Sequence, residues 1–352
     1  MRWLRSALLA ALALGVAGCV LILAAGLPSG PATAGTQRAG DSAGLVRVLP
    51  AGDQVLSGPR LTEVNGLASG MSGLWLTGGT ATRSHLLYAV NPATGQISAT
   101  VALPSQLIIN PGDIAVGAGA VWVADGASLY RIVPGLTGQT VTRPFATLPH
   151  DGLIGDVVTA AGAVWVDDTT DGTVDRYAAT TGRASAAVTI GHTAGVMTAG
   201  DGGLWVADPD TDTVSRISLT RNRVNTVVTL PGPPTHLATA GDDLWATDGT
   251  GRVNAVGLGG RIRTVRVGGQ ATGVAAADGS VWVASTATGT LSRINPRRDT
   301  VTATIHVGKR PYAVAATPEA LWVTVLGQPV MMHPPAGRSD TGTLGWLLRL
   351  CG

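Results

Sequence analysis

The 352-residue chain is poor in several residue types that usually carry chemistry: two cysteines, one phenylalanine, two glutamates and a single lysine, Lys309. Cys19 and Cys351 stand at opposite ends of the chain. Two such residues cannot form a disulfide framework, and without C-x-x-C or His-rich spacing they suggest no thiolate zinc site. Charged residues make up 13%, about half the share of a typical soluble domain, so a shell of amphipathic surface helices is not expected. The formal charge is only +2, and no basic run is interleaved with aromatics, so nucleic acid is not an expected partner. Two short motifs lack their context. In "GDSAG" (40–44) no strand and helix pinch Ser42 into a nucleophile turn. In "GLGG" (257–260) the third glycine of a dinucleotide fingerprint is missing.

The residues in good supply tell more. Arg2 and Arg5 precede an unbroken apolar run, Ala7 to Leu27, whose helical length of roughly 31 Å matches a bilayer's hydrocarbon core. With positive charge before it and none soon after, the remainder is expected on the extracytoplasmic side. Three fates for this segment remain open: an uncleaved anchor, a signal peptide cleaved near "ATA" (32–34), or a lipoprotein with lipid on Cys19 of "VAGC". Residues 28–43 lack periodicity and read as a flexible linker.

From there a repeat governs the chain. Trp75, Trp122, Trp165, Trp205, Trp245, Trp282 and Trp322 share one column, at spacings of 47, 43, 40, 40, 37 and 40 residues. Each unit reads as four short strands: one ending in a Gly/Asp turn, one carrying the tryptophan, one with the pattern L/V-x-R-I/Y (Arg131, Arg176, Arg216, Arg293), and a β-branched fourth. A unit of this size cannot bury its own faces, whereas a ring of them can. The expectation is therefore an all-β fold, a seven-bladed β-propeller of four-stranded antiparallel blades over 44–340, preceded by an N-terminal membrane or signal helix (1–27). Either "LVRVLP" (45–50) or "TLGWLLRL" (343–350) closes the last blade, after "PVMMHP"; residues 341–352 are a tail or that closing strand. The tryptophans read as core wedged between blades.

The units "GGLWVADPDTDTVSRISLTRNRVNTVVTL" and "GSVWVASTATGTLSRINPRRDTVTATIHVGKRP" resemble the YVTN-type β-propeller repeats of exported bacterial proteins, whose relatives include the virginiamycin B lyase branch. The likeness covers about residues 55–335 and is specific for fold rather than activity. The lyase branch implies Mg²⁺ held by glutamate and histidine, with a histidine as base. This chain departs from that pattern, because Glu63 and Glu319 are its only glutamates and neither belongs to a Glu-x-His pair.

Candidate functional residues follow from the repeat. Positions nine and ten before each tryptophan start the innermost strand and rim the channel: Asn65, Asp113, Asp156, His236 and Tyr312, with Gly195, Thr272 and Gly273 as small counterparts. His150 and His192 precede inner strands on the same face. Asp125, Asp168, Asp208 and Asp248 share a column three residues after the tryptophan, making that face acidic. Asp208, Asp210 and Asp212 admit two readings, turn punctuation or a divalent-cation site. No cofactor is otherwise expected, and Mg²⁺ or Ca²⁺ is the cation such a site would take. The functional expectation is an exported, membrane-anchored propeller that binds an envelope protein or small ligand through its channel face without catalysis; the alternative is a metal-dependent lyase or hydrolase on the same face.

Overall fold

The computed structural model describes residues 44–49, 52–55, 63–71, 73–80, 83–103, 114–134, 144–149, 152–191, 195–318 and 320–325. All lie in one compact unit, Ala39–Gly352, and all regular structure among them is β. The expected N-terminal helix (1–27), with Cys19, lies outside the described residues.

Two strands open the chain, β1 (Gly44–Leu49) and β2 (Gly52–Val55). Six blades follow, each from four consecutive strands. Blade 1 is β3 (Glu63–Gly70), β4 (Gly73–Thr80), β5 (Arg83–Val90) and β6 (Ile97–Ala102). Blade 2 is β7 (Ile114–Gly117), β8 (Ala120–Asp125), β9 (Ser128–Ile132) and β10 (Ala146–Thr147). Blade 3 is β11 (Ile154–Ala160), β12 (Ala163–Asp168), β13 (Thr173–Ala178) and β14 (Ala184–Thr189). Blade 4 is β15 (Met197–Gly200), β16 (Gly203–Asp208), β17 (Thr213–Ser218) and β18 (Arg223–Thr229). Blade 5 is β19 (His236–Ala240), β20 (Asp243–Thr247), β21 (Arg252–Gly257) and β22 (Ile262–Arg266). Blade 6 is β23 (Ala271–Ala277), β24 (Ser280–Ser285), β25 (Thr290–Asn295) and β26 (Thr300–His306).

The last two strands, β27 (Pro311–Ala316) and β28 (Leu321–Val325), join β1 and β2 in a composite sheet of order β2-β1-β28-β27. The expectation of a seven-bladed propeller is thus corrected: six blades are single repeat units, and the seventh tryptophan, Trp322, stands in a sheet made from both ends of the described chain. The reason lies in the register. Arg47 of β1 pairs with Trp322, as Arg176 pairs with Trp165, so "LVRV" is the third-strand pattern displaced to the front of the sequence. "PVMMHP" and "TLGWLLRL" lie outside the described residues.

The tryptophans explain why the sheets stack. Trp122, Trp165, Trp245 and Trp322 are fully buried. Trp165 shares an apolar cluster with Met197, Leu204 and Val206 of blade 4; Trp245 does so with Val274 and Val281 of blade 6. Trp322 packs with Leu74 and Val90 of blade 1, which closes the ring. Arg131, Arg176, Arg216 and Arg293 lie over the tryptophan of their own blade at 5.5–5.9 Å, the distance at which a guanidinium is attracted to an indole face.

The turns between first and second strands are tight. Asp201 and Gly202 (φ 50° and 66°) and Asp278 and Gly279 (48° and 65°) both occupy the left-handed region, the requirement of a type I′ hairpin whose twist suits the strands. At the same end Gly200 meets β19 so closely that an added Cβ would stand 2.3 Å from Thr239 Oγ1, which locks blade 4 against blade 5.

Candidate functional site

Ile154 opposes Asp168 and His236 opposes Thr247, so the start of each innermost strand lies at the same end as the turn between second and third strands. This end is the mouth face. The third–fourth and first–second hairpins occupy the opposite, hairpin face.

At the mouth, the candidate column coincides with a β-bulge in four sheets, whereas His236 stays in its ladder opposite Thr247. The ladder shifts register between Val64 and Gly66, Ile154 and Val157, Ala271 and Val274, and Pro311 and Val314. A bulge takes one or two residues out of the ladder and re-aims their side chains. The residues so released are Asn65, Gly155 with Asp156, Thr272 with Gly273, and Tyr312 with Ala313. Backbone groups that leave the ladder are met by hydroxyls: Gly66 N donates to Thr77 Oγ1 at 2.8 Å, and Ala313 N donates to Thr324 Oγ1 at 2.9 Å. Thr77, Thr247 and Thr324 all stand two residues after a tryptophan, a column the sequence reading passed over.

Asp156 faces inward. It is buried; its Oδ1 accepts from Val157 N at 2.6 Å and its Oδ2 accepts from Met197 N of blade 4. The carboxylate therefore staples one blade to the next. Asp113, His150 and His192 lie outside the described residues. Asn65 is a bulge position in β3, and Gly195 N donates to Ala207 O.

His236 and Tyr312 come together. Their rings meet edge to face with centroids 5.3 Å apart and planes at 84°, although one belongs to blade 5 and the other to the composite sheet. Blade 6 stands between them and makes the contact possible by being small there. A Cβ on Gly273 would lie 2.1 Å from Tyr312 O, so β27 can press against β23 only because that residue is glycine. Thr286 Oγ1 and Thr272 Oγ1 donate to Pro311 O at 2.8 and 3.2 Å. With Thr324 holding Ala313 N, Tyr312 is clamped on both flanks. Its side chain remains 38% exposed.

His236 keeps part of its surface open while protein surrounds most of the ring. Burial lowers its pKa from 6.5 to about 4, so the imidazole is neutral at physiological pH. Its Nδ1 is buried with no hydrogen-bond partner. The mouth thus offers a neutral imidazole and an aromatic face beside threonine hydroxyls, groups that bind flat or hydroxyl-bearing ligands by stacking and hydrogen bonding.

The aspartates after the tryptophans organise turns. Asp168 Oδ1 accepts from Thr170 N and Asp171 N at 3.0 and 3.2 Å. Asp208 Oδ1 accepts from Asp210 N and Thr211 N at 3.1 and 3.2 Å, and Asp248 Oδ1 from Thr250 N at 2.8 Å. Asp210 is exposed and Asp212 has φ 56°. Among the described residues no three His, Cys, Asp or Glu side chains group as metal ligands. The face is also electrically divided: Asp171, Asp208, Asp210 and Asp212 lie over blades 3 and 4, whereas Arg252, Arg266, Lys309 and Arg310 lie over blades 5 and 6.

No protein-family model and no curated protein sequence matches this chain. Solved structures do. A streptogramin B lyase superposes with a TM-score of 0.63 at 15% identity, covering 80% of this chain and 97% of the other. BamB from Moraxella catarrhalis gives 0.54 at 14%, covering 82% and 90%. BBS1N, solved in complex with ARL6DN, gives 0.56 at 15%, covering 74% and 89%. At such identities the likeness establishes the β-propeller fold alone.

Proposed function

We propose that this protein is an exported, membrane-anchored β-propeller that binds a ligand without transforming it, and that the ligand sits at the mouth against His236 and Tyr312. The observation that carries this reading is the meeting of those two rings across blade 6, with Tyr312 clamped by Thr272, Thr286 and Thr324. Fixing the backbone on both sides of Tyr312, with the His236 ring against its side chain, lowers the ordering cost of binding. The membrane and the extracytoplasmic side enter through the apolar run 7–27 and its flanking arginines.

The test is a fragment screen by saturation-transfer NMR on the wild-type protein and on Tyr312→Ala and His236→Gln, with thermal melts as folding controls. Hits that saturate, compete with one another and disappear in both variants support the reading. Hits indifferent to both variants, or no saturable hit, overturn it. A hit consumed over time in a divalent-cation-dependent manner would instead favour a lyase or hydrolase, the reading that the streptogramin B lyase likeness brings.

A further inference from the structure

On the hairpin face, away from the mouth, the outer rim of three successive blades is built alike. The third–fourth hairpins carry Arg221 and Arg223 in blade 4, Arg261 and Arg263 in blade 5, and Arg297 and Arg298 in blade 6. Arg263 is engaged by Asp243 and Asp299 at 2.6 and 2.9 Å. Among the described residues the other five, Arg221, Arg223, Arg261, Arg297 and Arg298, make no ion pair, and all are exposed. The corresponding hairpin of blade 1, residues 91–96, has no charged residue at all. Towards the ring axis the first–second hairpins bring Asp201, Asp242 and Asp278, so the cationic strip is confined to the rim and invites an edge-on approach.

The same arc also exposes apolar side chains. Among the described residues, two of the six large hydrophobic side chains that stand exposed are here, Leu258 (52%) beside Arg261 and Val301 (37%) on β26 next to the Arg297–Arg298 hairpin; a third, Val227 (59%), stands on the same outer rim farther along β18, towards the mouth. Arginines alone would suit any polyanion. Arginines interleaved with exposed aliphatic groups suit a surface whose phosphates overlie hydrocarbon, where cations pair with headgroups and apolar tips enter the acyl boundary.

We infer that the outer rim of blades 4–6 docks edge-on onto the anionic phospholipid of a membrane. This contact is independent of the mouth. It holds the propeller against the bilayer by its rim and leaves the mouth, at the other end of the blades, accessible to solutes.

The Ala39–Gly352 unit contains every described strand and the closed ring of packed tryptophans, so it is the form to test, free of the apolar run. Its flotation is measured with vesicles of equimolar phosphatidylglycerol and phosphatidylcholine, and with phosphatidylcholine alone. Binding to the first only, weakened by 0.5 M salt, is expected. The quadruple variant Arg221→Gln, Arg261→Gln, Arg297→Gln, Arg298→Gln should weaken partitioning about tenfold or more, and Leu258→Gln should weaken it at low salt without changing the salt slope. A control that neutralises four cations of the mouth face (Arg252, Arg266, Lys309 and Arg310, each to Gln) should retain most binding. Circular dichroism melts confirm folding of each variant. No binding, equal binding to both vesicles, or equal loss in the control overturns the inference; loss in the quadruple variant with no effect of Leu258→Gln would show a polyanion contact instead of a bilayer one.

Discussion

Blades 3 and 5 are built on the same template and handle charge in opposite ways. Where blade 3 has Asp156, blade 5 has His236; where blade 3 has the fully buried Asp167, blade 5 has Thr247; opposite the residue after the tryptophan, blade 3 has Asp175 and blade 5 has Asn254. Blade 3 thus turns its carboxylates inward, Asp156 onto backbone N–H groups of two blades and Asp175 onto the Thr173 hydroxyl. Blade 5 keeps a neutral interior and carries its charge as Arg261, Arg263 and Arg266 on the outside. The lesson is that residues of one sequence column need not share a role. A carboxylate that rims a channel in the alignment can be a staple in the fold, and a neutral imidazole in the same column can face a ligand.

The largest expected effect tests the inward half of that contrast. Asp156→Ala should destabilise the protein by about 3 kcal/mol in urea unfolding, because two backbone N–H groups, one in each of two blades, lose their acceptor in a buried place. An effect under about 0.5 kcal/mol would mean that the blade 3 carboxylates are as dispensable as surface charges.

Next comes the pH dependence of blade 5. His236 has a folded pKa of about 4 against 6.5 when exposed, so folding favours its neutral form. Its contribution is complete above pH 6.5 and is lost as the pH falls towards 4. Relative to His236→Gln, wild-type stability should therefore drop between pH 7 and pH 4, on the order of 2 kcal/mol. Parallel profiles for the two proteins would place the imidazole in open solvent.

A smaller effect is expected at the one place where blade 5 turns charge into structure. Arg263→Met removes the pairs with Asp243 and Asp299 and should cost about 1 kcal/mol, the range of partly exposed ion pairs; a double-mutant cycle with Asp299→Asn assigns the share of the contact that bridges to blade 6. Copying blade 5 into blade 3 by Asp175→Asn should act in the opposite direction. Burial raises the Asp175 pKa, so its contribution is present below the unfolded value and lost as pH rises through the folded one; the amide should raise the midpoint at pH 7 and leave it unchanged near pH 3. Smallest of all, Arg261→Gln with Arg297→Gln should alter stability by no more than about 0.5 kcal/mol, since both residues are exposed.

Much of the architecture was legible before any coordinates. The tryptophan column marks the blades because only one large apolar residue per unit is available to fill the gap between sheets, and the Asp-Gly and Ala-Gly turns announce hairpins by their positive φ. The channel column was legible as a set of positions, and His236 and Tyr312 belong to it. Their meeting was not, because it depends on Gly273 letting β27 approach β23, a contact between units that no single unit records. Asp156 was placed in the column but not in its role, since its acceptor geometry involves Met197 in the next blade. The third-strand pattern in "LVRV" was present in the sequence, yet its partner Trp322 lies near the other end of the described chain.

By itself, the sequence determined what is local and periodic: the strands, their hairpin turns, the faces that must be buried, and the Arg–Trp pairing within a blade. Alternation and turn chemistry act over a few residues and leave a readable trace. Tertiary structure decided what depends on the ring being closed. It fixed the composite sheet from the two ends, the clamp that holds Tyr312 against His236, and the strip of arginines and aliphatic tips on three neighbouring rims. Those arrangements arise from contacts between blades, whose geometry is set by packing and steric fit rather than by any order of residues along the chain.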